Sequence, residues 1–446
     1  VTDIPLKPTN PARKRELLAW AFYDFANSGY TTVVMTTIYS AFFVGVVAAQ
    51  LNEESPGLGT LLWTLAIGTA NLVVLLSGPV LGALADYHGS KKRFLMGSTI
   101  MCVGATALLA ISGPGDIAIA MLLVTLSAIA FSTGENLIAA FLPEIAHPDQ
   151  LGRVSGYGWS LGYFGGLLTL ACCLGYIQFA SGQGDAAQDY VPVTLLITAL
   201  IFAITAAPTF IWLEERSTPR PLPAGQTWLR AGFGQVMTTL RHAHQLPDLF
   251  RFLFCLTLFQ AGVSTVVVTA AIYAQEVMGF SSQQLIVLIM VVNLTAALGA
   301  FFFGYAQDHF GSEPSLVVAL LVWIAAIGVA LWSSEPAHIW LAGNLIGLAM
   351  GATQAGGRAL IAMLTPPSRG AEIFGLWGLA NRAAAIIGPV SYGVINRVWE
   401  GDHRISLIST LVFFIAGLLL LLTVSEKRGQ AAAQSLAAGD TPEATE

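Results

Sequence analysis

Apolar segments of membrane-spanning length follow one another almost from end to end of the chain. A helix needs roughly 20 apolar residues to cross the hydrocarbon core of a bilayer, and turn residues such as Gly113-Pro114-Gly115 separate one segment from the next. The pattern predicts twelve membrane-spanning helices, at residues 17–48, 58–85, 94–112, 117–142, 154–180, 190–213, 249–275, 283–305, 314–333, 337–364, 373–397 and 404–424.

This division predicts an all-α integral membrane protein made of two six-helix bundles. The first bundle would occupy residues 17–213 and the second 249–424, with an N-terminal segment at 1–16, a linker at 214–248 and a tail at 425–446. Composition agrees, because 55% of the 446 residues are hydrophobic and 10% are charged, whereas soluble domains carry about 25% charged residues. The first apolar segment is too long for a signal peptide and lacks a small-residue cleavage site, so we expect it to be retained as the first span.

The positions of lysine and arginine predict the orientation of the chain in the membrane. With the N-terminus placed in the cytoplasm, 16 of the 20 Lys and Arg residues fall in cytoplasmic segments or at the adjoining span ends. Cytoplasmic loops of membrane proteins are enriched in these two residues. We therefore expect both termini in the cytoplasm and the protein in the plasma (inner) membrane.

Several function classes lack their characteristic residues in this sequence. The net charge of −6 comes with no basic stripe that could follow a nucleic-acid backbone. The four cysteines lie in apolar segments and the seven histidines in loops, in the linker or at span ends, so neither a metal site nor a disulfide framework is indicated. The phosphate-binding run Gly-x-x-x-x-Gly-Lys-Ser/Thr is missing too. We expect no enzyme activity, no cofactor, no metal and no nucleic-acid partner.

A short motif occurs twice, about half the chain apart. Gly, three residues, Asp, two residues and Gly-Ser stand at residues 82–90 and again at 304–312, each time at the inner end of an even-numbered span. Such internal symmetry is typical of transporters whose substrate site lies between two halves. The first copy resembles the signature loop of the major facilitator superfamily, in which the Asp is thought to close the cytoplasmic gate. The resemblance implies gate roles for Gly82, Asp86, Gly89, Gly304, Asp308 and Gly311.

Three further stretches resemble the vacuole-effluxer branch of this superfamily, whose namesake is the yeast autophagy-related vacuolar amino-acid exporter. They are Trp20-Ala-Phe-Tyr-Asp-Phe-Ala-Asn-Ser28 in span one, Gly162-Tyr-Phe-Gly-Gly166 in span five and Gln354-Ala-Gly-Gly-Arg358 in span ten. The resemblance implies alternating access of two bundles and an amino acid as the solute. The chain departs from the family pattern in span seven, where Gln260 stands in a run that usually carries an acid.

Polar and charged residues inside the predicted spans are the candidates for solute recognition. An ionisable group in the bilayer core costs roughly 2.5–3.5 kcal/mol on insertion scales, so such groups tend to face a cavity. An arginine suits a solute carboxylate, which it can bind with two hydrogen bonds, and a desolvated acid suits proton coupling. Alternatively, these groups pair with one another across helices and hold the bundles together. The candidates for substrate binding or coupling are Asp24, Asn27, Glu135, Asn136, Gln260, Gln354, Arg358, Asn381 and Arg382.

Together these features favour a secondary active transporter. We expect it to move a small polar solute, an amino acid or a related carboxylate metabolite, by alternating access, with protons as a candidate coupling partner. An exporter of lipids or hydrophobic drug-like compounds is the alternative, and it is less favoured because charged groups lie in spans one, four, ten and eleven. A non-transporting membrane sensor is a further alternative. The expected partners are the small-molecule solute and membrane lipid, and we expect a monomer.

Overall fold

The computed structural model describes residues 14–88, 90–141, 145, 151–215, 246–365 and 370–439, and nearly all of them lie in helices. In chain order the long helices are α1 (Lys14–Val47), α2 (Leu58–His88), α3 (Lys91–Leu108), α4 (Ile117–Ala139), α5 (Leu151–Gln183), α6 (Ala187–Trp212), α7 (Pro247–Met278), α8 (Ser282–Phe310), α9 (Ser312–Leu331), α10 (Pro336–Met363), α11 (Gly370–Val398), α12 (His403–Leu421) and α13 (Glu426–Gly439). Helices α1–α12 lie at the twelve predicted spans.

Eleven helices within the described residues are long and apolar enough to cross a membrane. The exception among α1–α12 is α10, whose 28 residues correspond to a length of about 42 Å at 1.5 Å per residue. It is long enough to span, but His338, Asn344 and Gln354 make it less apolar than its neighbours. The length of α10 therefore agrees with a twelfth span, although its composition is more polar.

The buried side chains form two hydrophobic cores, one for each half of the chain. The first core is built mainly from α1–α6 and includes the fully buried Tyr30 and Trp63. The second is built mainly from α7–α13, where the rings of Trp323 and Phe414 stack with centroids 4.6 Å apart. Two six-helix bundles are thus the physical units of the fold. Of the linker predicted between them, residues 216–245 lie outside the described part of the chain.

The bundles are hydrogen-bonded to each other on the side of the membrane opposite the chain termini, which we call the far side. Trp63 Nε1 of α2 donates to the carbonyl oxygen of Val268 in α7 at 3.2 Å. Tyr190 of α6 donates through its hydroxyl to Ser282 Oγ at the start of α8, also at 3.2 Å. These contacts join the first bundle to two helices of the second, so the bundles touch on the far side in this structure.

Helix α1 packs closely against α5 because glycines of α5 face it. A Cβ on Gly165 would overlap the carbonyl oxygen of Phe25, and one on Gly162 would lie 2.8 Å from Ser28 Oγ. Small residues at a helix contact let two backbones approach each other in this way. Further along, α1 contains two π-helical segments, Thr31–Thr37 and Phe43–Val47, and such segments are frequent at functional sites.

Helix α13 lies in the region that the sequence indicated only as a polar tail. It docks on the terminal side of the second bundle, where Arg428 Nε donates to Asp248 Oδ2 at 2.5 Å. This carboxylate raises the pKa of the Arg428 guanidinium above its usual value. Glu426 Oε2 accepts a hydrogen bond from the backbone N–H of Ser312 at 3.0 Å, and Ala433 is buried. The tail helix is therefore part of the second bundle.

Candidate functional site

Arg382 of α11 reaches across to the first bundle. Its Nη2 donates to Glu135 Oε2 of α4 at 2.6 Å and forms an ion pair. The same guanidinium donates to Ser132 Oγ at 3.1 Å, Asn136 Oδ1 at 3.3 Å and Asn71 Oδ1 at 3.5 Å. The Arg382 side chain is 18% exposed and that of Glu135 is 43% exposed. The pair therefore lies where the two bundles meet and keeps access to water.

Helix geometry accounts for this convergence of acceptors around one arginine. Ser132, Glu135 and Asn136 are spaced i, i+3 and i+4, which places them on one face of α4. Asn71 donates through Nδ2 to the Ile67 carbonyl of its own helix at 3.0 Å, and its Oδ1 accepts from the arginine. The amide of Asn71 is thereby oriented with its oxygen toward the opposite bundle.

A second arginine, Arg358 of α10, lies over two indole rings. Its Cζ is 5.6 Å from the ring centroid of Trp159 and 5.7 Å from that of Trp377. Trp159 is on α5 and Trp377 on α11, so this guanidinium also has contacts from both bundles. Arg358 interacts electrostatically with Asp24 of α1 and with Glu135 as well. The two arginines thus share one acidic neighbour.

Asp24 is held at the contact between α1 and α5. A Cβ on Gly158 would overlap the Asp24 carboxylate and would lie 2.7 Å from the Trp20 ring, so only glycine leaves room for the acid. Trp20 Nε1 donates to the carbonyl oxygen of Ile138 in α4 at 2.8 Å, which fixes this part of α1 against α4. The glycine and the tryptophan together determine where Asp24 can lie.

The other polar residues predicted for the site are not among the hydrogen-bond partners of Arg382 in the described part of the chain. Asn27 is buried, and its Oδ1 has no hydrogen-bond partner in the described part of the chain. Asn381 donates to the Trp377 carbonyl oxygen of its own helix at 2.8 Å. Gln260 of α7 and Gln354 of α10 are half-buried. Their predicted roles in binding stay predictions.

The repeated motif is described only in part. Five of its residues lie outside the part of the chain whose surroundings are described: Gly82, Asp86, Gly89, Gly304 and Asp308. Gly311 is described and forms the turn between α8 and α9 with φ +93°, a conformation that glycine adopts without steric cost. The gate roles implied for the motif stay predictions.

Four contact residues were missed by the sequence reasoning. Asn71 is a polar residue within a predicted span and carried the same signal as the chosen candidates. Ser132 lies one helical turn before Glu135, so the helical face could have revealed it. For Trp159 and Trp377 the sequence carried no signal, because an indole in a span is equally suited to lipid or core packing.

The charges of the cluster balance. Asp24 and Glu135 are acids, Arg358 and Arg382 are bases, and they come from α1, α4, α10 and α11. Within the described residues no group of three or more His, Cys, Asp or Glu is placed to hold a metal ion. The arrangement suits recognition of a charged polar solute between two bundles.

Comparison with known proteins agrees with this geometry. A family model described as "Vacuole effluxer Atg22 like" matches residues 60–434. The chain belongs to this family. It is 26% identical to the uncharacterised MFS-type transporter YxiO of Bacillus subtilis, over 92% of this chain and 94% of that protein. It is 24% identical to autophagy-related protein 22 of Yarrowia lipolytica, over 69% of this chain and 57% of that protein. The chain thus spans little more than half of this fungal relative.

The fold of this family member is that of the major facilitator superfamily. A crystal structure of a D-xylose–proton symporter superposes with a TM-score of 0.72 at 14% identity, covering 93% of this chain and 98% of the symporter. The predicted superfamily and family are confirmed, and so is the all-helical two-bundle fold. The chain is an integral membrane protein and a transporter of the major facilitator type.

Proposed function

We propose that the chain is a secondary active transporter that moves a small polar solute with a carboxylate group, an amino acid or a related metabolite, by alternating access. The observation that carries the proposal is the ion pair of Arg382 with Glu135 at 2.6 Å. It joins the two bundles through a residue type that also binds carboxylates. A solute carboxylate can take the place of Glu135 as the partner of Arg382. Arg382 then loses its contact with the first bundle and gains a contact with the solute.

That exchange links binding to movement. A ligand shifts a conformational equilibrium only by its difference in affinity for the two states. If the solute competes with the bundle-to-bundle ion pair, it binds differently to states that keep the pair and to states that lack it. Solute binding would then change the relative positions of the bundles, as alternating access requires.

The balanced charge of the cluster supports a zwitterionic solute. Asp24, Glu135, Arg358 and Arg382 sum to zero, and a zwitterion leaves that sum unchanged. A monoanion would add an uncompensated negative charge in a partly desolvated site, which costs free energy. A proton that enters with the anion removes this cost. We infer that a zwitterionic amino acid moves without an obligatory proton and that an anionic solute moves together with one.

The relatives support these choices. The family description names an effluxer of the vacuole, which agrees with export of a solute, and the symporter of the same fold couples its sugar to protons. We further propose that the terminal side faces the cytoplasm of a cell whose plasma membrane holds the protein, because Lys and Arg are concentrated there. Protease accessibility of a C-terminal tag in inside-out membrane vesicles tests this orientation.

Transport by purified protein in liposomes tests the function. We expect saturable uptake of a mixture of the twenty radiolabelled L-amino acids, and loss of at least 90% of it in Arg382→Gln. The matched control is Arg397→Gln, the same change on the same helix, which we expect to transport like the wild type. Uptake of radiolabelled acidic amino acids should rise with an inward proton gradient, and uptake of neutral ones should not.

The contrary results are well defined. Failure of the folded wild type to take up any amino acid or monocarboxylate would remove the proposed solute class. Wild-type rates in Arg382→Gln would keep the transporter and remove the ion pair from its mechanism. Stimulation of neutral amino-acid uptake by the proton gradient would contradict the charge-balance argument.

A further inference from the structure

Each of the two indoles that contact Arg358 is supported by another aromatic side chain on its own helix. Trp159 lies against Tyr163 with ring centroids 6.2 Å apart, and Trp377 lies against Phe374 at 6.1 Å in a T-shaped arrangement. Such aromatic pairs favour particular ring orientations. The guanidinium therefore lies over two rings whose own positions are constrained, one on each bundle.

Two rings on different helices limit where the guanidinium can lie. A cation–π contact places the cation over the face of a ring, and a planar guanidinium can stack on such a face. The N–H donors of a guanidinium lie in its own plane, in a fork that matches the two oxygens of a carboxylate. Rings on two helices restrict how far the plane can tilt or rotate. Restricting it before binding lowers the conformational entropy that is lost when a solute binds.

We propose, building on the transport function proposed above, that Trp159 and Trp377 are positioning residues of the solute site. They orient Arg358 so that the edge of its guanidinium faces the carboxylate of the solute. They act through the arginine rather than by contact with the solute. This role assigns a carboxylate-binding function to Arg358 in addition to that of Arg382.

The exposure of Trp159 distinguishes this role from core packing. Trp159 is 42% exposed, whereas Trp63 in the first core is 0% exposed, so removing the Trp159 indole takes away less buried contact than removing a core indole. Trp377 is half-buried, and its removal combines the loss of a cation–π contact with some loss of packing. Trp159 is therefore the cleaner position for an experiment.

Uptake kinetics in proteoliposomes test the proposal, with the mixture of twenty radiolabelled L-amino acids as probe. Trp159→Ala should raise the half-saturating concentration about 5-fold, which corresponds to about 1 kcal/mol at 1.4 kcal/mol per tenfold, with a maximal rate close to that of the wild type. Trp159→Phe keeps an aromatic face and should stay within about 2-fold of the wild type. The matched control, Trp332→Ala, removes an 86% exposed indole and should have no effect.

The decisive variant is the double change Trp159→Ala with Arg358→Lys. Lysine keeps the charge but lacks the planar fork, so Arg358→Lys alone should raise the half-saturating concentration more than tenfold. If Trp159 acts through Arg358, the double variant should be no worse than Arg358→Lys. The positioning role would be overturned if the two changes multiplied their effects on the half-saturating concentration in the double variant. It would also be overturned if Trp159→Ala left the half-saturating concentration unchanged. In both cases uptake by the wild type would leave the proposed transport function standing. Absence of uptake in the wild type would remove the function and this role with it.

Discussion

Neutralising Glu135 and Arg382 separately and together measures how strongly the bundles hold each other at the candidate site. Glu135→Gln removes the negative charge but keeps a side chain of similar size that can accept a hydrogen bond. Arg382→Gln removes the positive charge and the reach to α4. The double variant carries both changes, so the four proteins form a double-mutant cycle whose coupling free energy is that of the pair.

The structure sets the size of that coupling. Ion pairs between fully exposed side chains contribute about 0.2–1 kcal/mol, and removing one partner of a buried pair costs about 3–5 kcal/mol. With 43% of Glu135 and 18% of Arg382 exposed, this pair lies between the two classes. After Glu135→Gln the arginine keeps its contact with Ser132 Oγ at 3.1 Å, which limits the loss. We expect a coupling of about 1–1.5 kcal/mol, near the upper part of the range for polar contacts between membrane helices.

Reversible unfolding in SDS-containing mixed micelles, followed by circular dichroism, supplies the free energies. The control is a second cycle that combines Glu135→Gln with Arg397→Gln. Arg397 lies at the far-side end of α11, and changes at separate sites add within about 0.3–0.5 kcal/mol. We expect no coupling beyond that limit in the control cycle.

A coupling below about 0.3 kcal/mol for the Glu135–Arg382 cycle would refute the reasoning, because the bundles would then gain nothing from the pair. A control cycle with equal coupling would show that the assay responds to charge in general rather than to this contact. An energetic link between the bundles at this site is supported only if the coupling free energy is large in the Glu135–Arg382 cycle and small in the control cycle.

Two further predictions concern packing and the tail helix. Gly158→Ala places a Cβ on the Asp24 carboxylate and should lower the free energy of unfolding by about 1–3 kcal/mol in the same SDS assay. The control is Gly175→Ala on the same helix, whose added Cβ meets no atom within 4 Å and should leave the free energy of unfolding unchanged. Asp248→Asn removes the charge that binds Arg428 and should increase tryptic cleavage after Arg428 several-fold, because local opening of α13 becomes easier. An unchanged cleavage rate would show that other contacts hold α13.

The spans were predictable because lipid imposes a length and a composition on every helix that crosses it. Even helix α10 was recognised from the sequence, although His338, Asn344 and Gln354 make it less apolar than the other spans. The repeat at Gly82 and Gly304 indicated two halves, and two hydrophobic cores are found. Tail helix α13 was missed, because its stability comes from docking on Asp248 rather than from its own composition.

The site was predictable as a set of residues but not as a set of contacts. Charge in a span marks Glu135 and Arg382 individually, yet they are 247 residues apart, and only the docking of two bundles makes them a pair. The same reason hid Trp159, which contacts Arg358 from the other bundle, whereas Trp377 lies on the next helix of the same bundle and was hidden because an indole in a span is equally suited to packing. Periodicity within one helix carries no information about which faces of separate bundles meet.

The arrangement of carboxylates on the terminal side indicates which parts of the carrier move as units. Glu215, just after α6, accepts from the backbone N–H of Lys91 at the start of α3 at 2.5 Å. Glu426, just after α12, accepts from the N–H of Ser312 at the start of α9 at 3.0 Å. In each bundle, an acidic residue that comes after the sixth helix thus contacts the N-terminus of the third helix. The helix dipole favours negative charge at that position. Because both contacts stay within a bundle, they stiffen each half, and rearrangement between the halves is concentrated at the contacts that cross between them.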